Sequence, residues 1–324
     1  MRHPATIAPR AALAVALVVA CLSVAVLGVA ASPAGASNPY PVPYDFLLPA
    51  AVAGLQVDAS PPGANIWSCK PSAAHPNPVV LVHGLGGNKN DNWQTYAPLL
   101  ANNGYCVYAL TYGVYPHDPL PLSQVGGREP METSAHELAG FIDEVLAATG
   151  AGKVDIVGHS EGTQMPDYYA KFLGGAAKID KYVSIAPIWH GTNLVGLASV
   201  DRAGTAAGFG PVINGVFAPS FGSGPEFLTG SAFYAELRSG GTPAVAGITY
   251  TNIVTKYDEL VIPYSSGIQA GMTNIVLQDQ CASDFTEHFE IASDPVAAAD
   301  VLNALDPAHP RPVPCRLVLP FVGG

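Results

Sequence analysis

The chain has 324 residues, of which 49% are hydrophobic and 12% are charged, and its formal net charge at pH 7 is −11. This length allows a substantial hydrophobic core, and the composition is not that of a disordered protein. Lysine and arginine together number only 14, so the chain lacks the clustered cations that neutralise nucleic-acid phosphates. We therefore expect no nucleic-acid partner.

The first 36 residues have the features of a secretory leader. Two arginines lie within the first ten residues, an apolar run covers 11–29, and small residues end at Ala36. An uncleaved membrane anchor is the alternative, because about 20 apolar residues can span a bilayer. Pro33 and the small-residue site favour cleavage after Ala36. We predict a signal peptide over 1–36 and a secreted, extracellular, monomeric protein over 37–324.

Four cysteines remain beyond this leader, at Cys69, Cys106, Cys281 and Cys315. An even number in an exported chain indicates two disulfides, for which three pairings are open. We favour Cys69–Cys106 and Cys281–Cys315 because each pair closes a short local loop; buried free thiols are the alternative. Neither Cys-x-x-Cys nor His-x-x-x-His spacing occurs, so we expect no metal site.

Apolar, β-branched runs alternate with helical patterns over most of the chain. Strands are predicted at 78–82, 105–110, 154–157, 181–185, 248–255 and 274–277. Helices are predicted at 92–102, 132–149, 163–170 and 294–305, with Gly150 as a stop and Ser293 or Asp294 as a cap. This alternation predicts a single α/β domain over 37–324, with a mainly parallel, doubly wound sheet and helices on both faces.

The alternation fails between residues 191 and 246, which are rich in glycine, alanine and serine with scattered large apolar residues. A loop of this length is uncommon in a compact domain unless it serves a site. We weigh two readings: an insertion that packs its own small core, and an apolar wall or mobile flap over a pocket that receives an acyl chain.

The sequence Gly158-His159-Ser160-Glu161-Gly162 lies between a predicted strand and a predicted helix. Gly-x-Ser-x-Gly in this context is typical of a nucleophile elbow, a tight turn that presents the serine hydroxyl above the sheet edge. A serine hydroxyl needs a base and an orienting carboxylate before it attacks. In elbow enzymes these follow in the order serine, acid, histidine.

Each remaining part has a candidate in that order. Asp258 is the first carboxylate beyond the 248–255 strand, and we favour it over the neighbouring Glu259. His288 is the base candidate because it follows Asp258 in the chain. The other histidine beyond Asp258, His309, lies in a proline-rich tail. The predicted triad is Ser160, Asp258 and His288.

The oxyanion is expected to bind two backbone N–H groups, one after the nucleophile and one in the loop after an earlier strand. These are Glu161 and Leu85, which lies in the glycine-rich turn that follows the 78–82 strand. His159 and His83 adjoin these positions. We expect His159 to pack or form a hydrogen bond beside the site, His83 to have a structural hydrogen-bonding role, and neither to be the general base.

With these residues in place, the chain resembles the secreted bacterial lipases and esterases of the class 2 lipase family, in the α/β-hydrolase superfamily. The resemblance is carried by segments 78–84, 104–110, 158–162, 184–187 and 251–259, and it covers about residues 63–315. It implies an α/β-hydrolase fold and ester hydrolysis through an acyl-enzyme, with no obligatory cofactor. The implied substrate is an ester or lipid, with transient contact at a lipid interface.

Two other functions stay open at this point. An acyltransferase or polyester depolymerase uses the same triad, because the fate of an acyl-enzyme depends on what the pocket admits. A non-catalytic binding protein on a hydrolase scaffold is disfavoured by the presence of all three triad positions in order.

Overall fold

The computed structural model describes residues 39–193 and 222–324. The predicted signal peptide and the central part of the predicted insertion, 194–221, lie outside the described residues. The chain divides at residue 40, and Tyr40–Gly324 form one compact unit.

A six-stranded, fully parallel sheet forms the centre of this unit. Its strands are β1 Val79–Val82, β2 Val107–Leu110, β3 Val154–His159, β4 Ile179–Ile185, β5 Thr249–Val254 and β6 Thr273–Val276. They lie in the order β2-β1-β3-β4-β5-β6. Because the order reverses at β1 and β3, the carboxyl ends of these two strands form the crevice where doubly wound sheets place their sites. The predicted parallel α/β fold is confirmed.

Seven α-helices accompany the strands in the described ranges. They are α1 Leu47–Gly54, α2 Tyr96–Asn102, α3 Met131–Thr149, α4 Met165–Phe172, α5 Ala232–Leu237, α6 Leu277–Gln280 and α7 Pro295–Leu305. Helix α3 ends at Gly150, which has φ 78°, and Asp294 caps α7 by accepting a hydrogen bond from the Ala297 N–H at 2.7 Å. Both boundaries agree with the signals in the sequence.

Strands β1, β2 and β3 are buried on both faces, as their unbroken apolar runs predict, whereas the edge strand β6 is exposed to half-buried. Val80 and Val82 of β1 pack in one cluster with residues of α3 and α4. Val79 and Leu81 pack in a second cluster, with residues of α2 and α7. Strand β1 therefore contributes alternate side chains to two apolar layers.

The described flank of the predicted insertion belongs to the main core. Phe227, Phe233 and Leu237 are buried in the same cluster as Val80 and Val82. This part of the chain does not form a small core of its own.

Two disulfides join the pairs favoured from the sequence. Cys69–Cys106 has a Cα–Cα distance of 5.8 Å, and Cys281–Cys315 one of 5.1 Å. The second bond ties the end of α6 to the C-terminal segment. Over the ranges that the structure describes, the helices are all too short or too polar to cross a membrane.

Candidate active site

Ser160 lies at the tight turn between β3 and a 3-10 helix, Ser160–Thr163. Its φ of 54° is in the left-handed region, which side chains other than glycine rarely adopt. A Cβ at Gly158 would overlap the carbonyl oxygen of Gly162, and one at Gly162 would overlap that of Val82. The two glycines are therefore required for this turn to pack against β1, and the turn has the geometry of a nucleophile elbow.

The three predicted triad residues meet at the carboxyl edge of the sheet. The Nε2 atom of His288 lies 2.9 Å from Ser160 Oγ. The Nδ1 atom of His288 lies 2.9 Å from each carboxylate oxygen of Asp258. Both distances are those of hydrogen bonds, so a continuous chain runs from carboxylate through imidazole to hydroxyl.

The loop after β5 fixes the Asp258 carboxylate. Its Oδ1 atom accepts hydrogen bonds from the N–H groups of Leu260 at 3.0 Å and Val261 at 2.7 Å. The competing carboxylate, Glu259, instead accepts a hydrogen bond from the main-chain N–H of His288, at 3.2 Å. Asp258 therefore faces the imidazole, while Glu259 contacts the backbone beside it.

The charges around His288 favour its protonated form. Burial lowers the pKa of His288, but the charge and hydrogen bond of Asp258, together with the charges of Glu259 and Glu287, outweigh burial and raise the pKa above 6.5. The raised pKa makes the imidazole a stronger base. It is suited to accept the proton of Ser160.

The two predicted oxyanion amides lie next to Ser160. The N–H of Glu161 is in the first turn of the 3-10 helix, where an amide has no intrahelical acceptor. Leu85 follows Gly84, at which a Cβ would lie 3.1 Å from the Cβ of Ser160. Among the described residues, the Leu85 N–H has no hydrogen-bond acceptor. The pair of amides is thus free for a ligand oxygen.

The side chain of Glu161 is fully buried, and neither carboxyl oxygen has a hydrogen-bond partner within the described residues. It occupies the space beside Gly127, where a Cβ would come 2.7 Å from Glu161 Oε2. Burial raises the pKa of Glu161 well above its usual range, and the nearby Glu226 raises it further. Both effects favour the neutral form of the carboxyl.

His159 and His83 both have structural hydrogen bonds. The Nε2 atom of His159 lies 2.9 Å from the carbonyl oxygen of His288. The N–H of Tyr112 donates to Nε2 of His83 at 3.3 Å, and Nδ1 of His83 donates to the carbonyl of Gly84 at 2.8 Å. Burial lowers the pKa of His159 to about 3 and that of His83 to about 4, so both rings are neutral.

Several supporting residues were not predicted from the sequence. The side chain of Asn92 accepts a hydrogen bond from the Gly84 N–H at 3.0 Å. The Thr255 hydroxyl donates to the carbonyl of Thr286 at 2.7 Å and so joins the loops of Asp258 and His288. The signal available in the sequence was that each lies at the end of a strand or in the loop after one.

No metal site is evident in the part of the chain that the structure describes. Groups of three or more His, Cys, Asp or Glu side chains placed to hold a metal ion do not occur there.

The model of the Lipase (class 2) family matches residues 76–299. A triacylglycerol lipase of Burkholderia plantarii is 35% identical over 126 residues, which cover 37% of this chain and 32% of that protein. A triacylglycerol lipase of Pseudarthrobacter phenanthrenivorans is 36% identical over 103 residues, covering 30% of this chain and 29% of that protein. The chain thus spans about a third of the length of these curated relatives.

Two solved structures share the fold. Aspergillus fumigatus lipase B superposes with a TM-score of 0.57 at 19% identity, over 87% of this chain and 64% of that one. The mature form of Bacillus licheniformis lipase BlEst2 has a TM-score of 0.54 at 17% identity, over 72% of this chain and 94% of that one. The family match covers more than half of the chain and extends from β1 into the first half of α7. With the elbow and the parallel sheet in place, the chain belongs to the class 2 lipase family.

Proposed function

We propose that this protein is a secreted carboxylic-ester hydrolase that acts through an acyl-enzyme on Ser160. The observation that carries the proposal is the hydrogen-bonded chain Asp258–His288–Ser160, with 2.9 Å at both links. Membership of the class 2 lipase family supports ester hydrolysis. The names of the two triacylglycerol lipases favour lipid esters as the substrate class.

The reaction begins when His288 takes the Ser160 proton and Oγ attacks the ester carbonyl. Asp258 stabilises the resulting imidazolium, and the N–H groups of Glu161 and Leu85 bind the oxyanion. The imidazolium then protonates the departing alkoxide, which leaves the acyl group on Ser160. Water, activated by His288, hydrolyses this acyl-enzyme and restores the serine.

Two features support the secreted location. The basic, apolar and small-residue pattern of 1–36 is that of a signal peptide. The two disulfides suit an oxidising compartment. We propose that the mature protein begins near Ser37.

Ser160→Ala tests the function directly. We expect hydrolysis of p-nitrophenyl butyrate to fall by on the order of 10⁶-fold, the loss that follows removal of a triad serine. Ser184→Ala is the matched control, because Ser184 is also buried and its hydroxyl has no hydrogen-bond partner among the described residues. If Ser160→Ala turns over the ester at the rate of Ser184→Ala, the proposed mechanism is wrong.

A further inference from the structure

Helix α1 has its apolar side chains on the outside of the protein. Leu48, Val52 and Leu55 are 68%, 53% and 84% exposed. These positions recur at spacings of four and three, so they share one face of the helix and its first following residue. Ala53, on the opposite face, is buried. The large apolar side chains Leu48, Val52 and Leu55 therefore face solvent, while the small Ala53 faces the protein.

The same surface continues into the C-terminal turn. The N–H of Gly324 donates to the carbonyl of Tyr44, just before α1, at 3.3 Å. We define the apolar rim as the seven exposed side chains of these two segments: Leu47, Leu48, Val52, Leu55, Val57, Phe321 and Val322. Exposed apolar groups that cluster in this way mark interaction surfaces more often than scattered ones do.

The apolar rim borders the loops that carry the active site. The ring of Phe46, beside Leu47, packs on that of Phe289 at 6.1 Å, and Phe289 follows His288. On the other side, the Asn90 side chain donates to the carbonyl of Ala53 at 3.0 Å. Asn90 belongs to the same loop as Leu85. A surface bound at the rim therefore lies beside the loops that carry His288 and Leu85.

We propose that the apolar rim adsorbs the enzyme to an uncharged ester surface, so that substrate enters from the aggregate beside it. This inference rests on the proposed function and adds the surface through which the substrate is reached. Charge favours a neutral surface, because no charged side chain occurs between Asp45 and Asp58 and the chain as a whole carries −11. An anionic membrane would repel such a protein.

A second copy of the chain fits the rim less well. A stable protein interface takes about 20–30 residues from each side, whereas the rim has seven large apolar side chains. An apolar liquid surface needs no matching shape, so a small patch suffices to adsorb to it.

The test compares adsorption with catalysis in the full-length mature protein. Leu48→Glu/Leu55→Glu alters two exposed rim positions, and Ile66→Glu alters an equally apolar, 45% exposed position beside the amino end of β2. Adsorption to triolein droplets is measured on Ser160→Ala protein by centrifugation, so it does not depend on turnover. Hydrolysis of dissolved p-nitrophenyl acetate is measured on the active proteins as a check of folding.

We expect the double variant to bind droplets on the order of 100-fold more weakly, because two apolar side chains no longer leave water. It should hydrolyse the dissolved ester at the wild-type rate, and Ile66→Glu should match the wild type in both assays. Undiminished droplet binding by the double variant overturns the proposal. The proposal is also overturned if the wild type is a dimer, the double substitution dissociates that dimer, and droplet binding stays unchanged. If the wild type does not hydrolyse the dissolved ester, the proposed function is wrong. Adsorption is measured in a separate assay, so that result is distinguishable from failure of the rim proposal.

Discussion

The side chain of His159 holds the main chain of His288. Its Nε2 atom lies 2.9 Å from the His288 carbonyl oxygen, while Nδ1 lies 3.1 Å from the Asn92 side-chain oxygen. The residue that precedes the nucleophile thus fixes the backbone of the base, and it also contacts the residue that anchors Gly84. One buried ring therefore contacts the backbone of His288 and the side chain that binds Gly84, and it belongs to the residue that precedes Ser160.

Replacing His159 by Phe should slow catalysis without removing any triad group. The ring volume is kept but the hydrogen bond to His288 is lost, and a displacement of about 1 Å at a catalytic group costs on the order of 100-fold in rate. We expect this loss in kcat with little change in KM. His159→Gln, whose amide can donate to the same carbonyl, should recover part of the rate. Equal rates for the Phe and wild-type proteins would contradict a positioning role.

The parts of the site that were predictable depend on local sequence. The elbow needs glycines at 158 and 162 because of contacts within a few residues and with the adjacent strand. The β-branched strands are likewise buried by a pattern visible in the sequence. Asp258 and His288 were found because carboxyl ends of parallel strands meet at one edge.

The remaining features depend on which distant segments come together. The helix α1 has no polar face, so its sequence contains none of the periodicity that predicts an amphipathic helix. The bond from His159 to His288 joins residues 129 positions apart. The Glu161 side chain is buried against Gly127, and nothing in the local pattern distinguishes it from an exposed glutamate.

Asp258→Asn and Glu259→Gln should separate the two neighbouring carboxylates. Only Asp258 contacts the imidazole, so its replacement should lower kcat by on the order of 10⁴-fold, as in serine proteases. We expect less than about a tenfold loss for Glu259→Gln, whose contact is to the His288 backbone. The reverse ranking would assign the acid to Glu259.

The same Glu259→Gln variant should shift the acid limb of the rate profile. Although burial lowers the pKa of His288, Asp258, Glu259 and Glu287 together raise it, and the protonated ring cannot accept the serine proton. Removing the Glu259 charge lowers that pKa, so kcat/KM should persist to lower pH than in the wild type. The measurement is kcat/KM for a soluble ester from pH 5 to 9. A limb shifted to higher pH would contradict this electrostatic account.

Glu161→Gln should make stability less sensitive to alkaline pH. Because burial, and then Glu226, raise the pKa of Glu161, the folded protein holds its proton more tightly than the unfolded chain does. Stability from this group is complete below the unfolded pKa of about 4.3 and is lost as pH rises toward the folded value. The Tm difference between variant and wild type should therefore increase from pH 4 to pH 9. The Glu161 charge interacts with that of Glu226 and, after burial, also raises the pKa values of Tyr112 and Tyr234. The quantity to measure is therefore the Tm difference between variant and wild type at each pH, and not the Tm of either protein alone.

The two disulfides should differ in their effect on catalysis although they close loops of similar size. Their sequence separations are 37 and 34 residues, so removing either should cost a similar 2–5 kcal/mol, roughly, in stability. Cys281 also precedes the segment in which the Phe285 N–H donates to the Val318 carbonyl at 3.0 Å, three residues before His288. Cys281→Ser/Cys315→Ser should therefore reduce kcat at temperatures where the protein is still folded. Cys69→Ser/Cys106→Ser should lower Tm to a similar extent while kcat per folded molecule is retained, and equal kcat values for the two variants would show that the second disulfide has no specific role at the His288 loop.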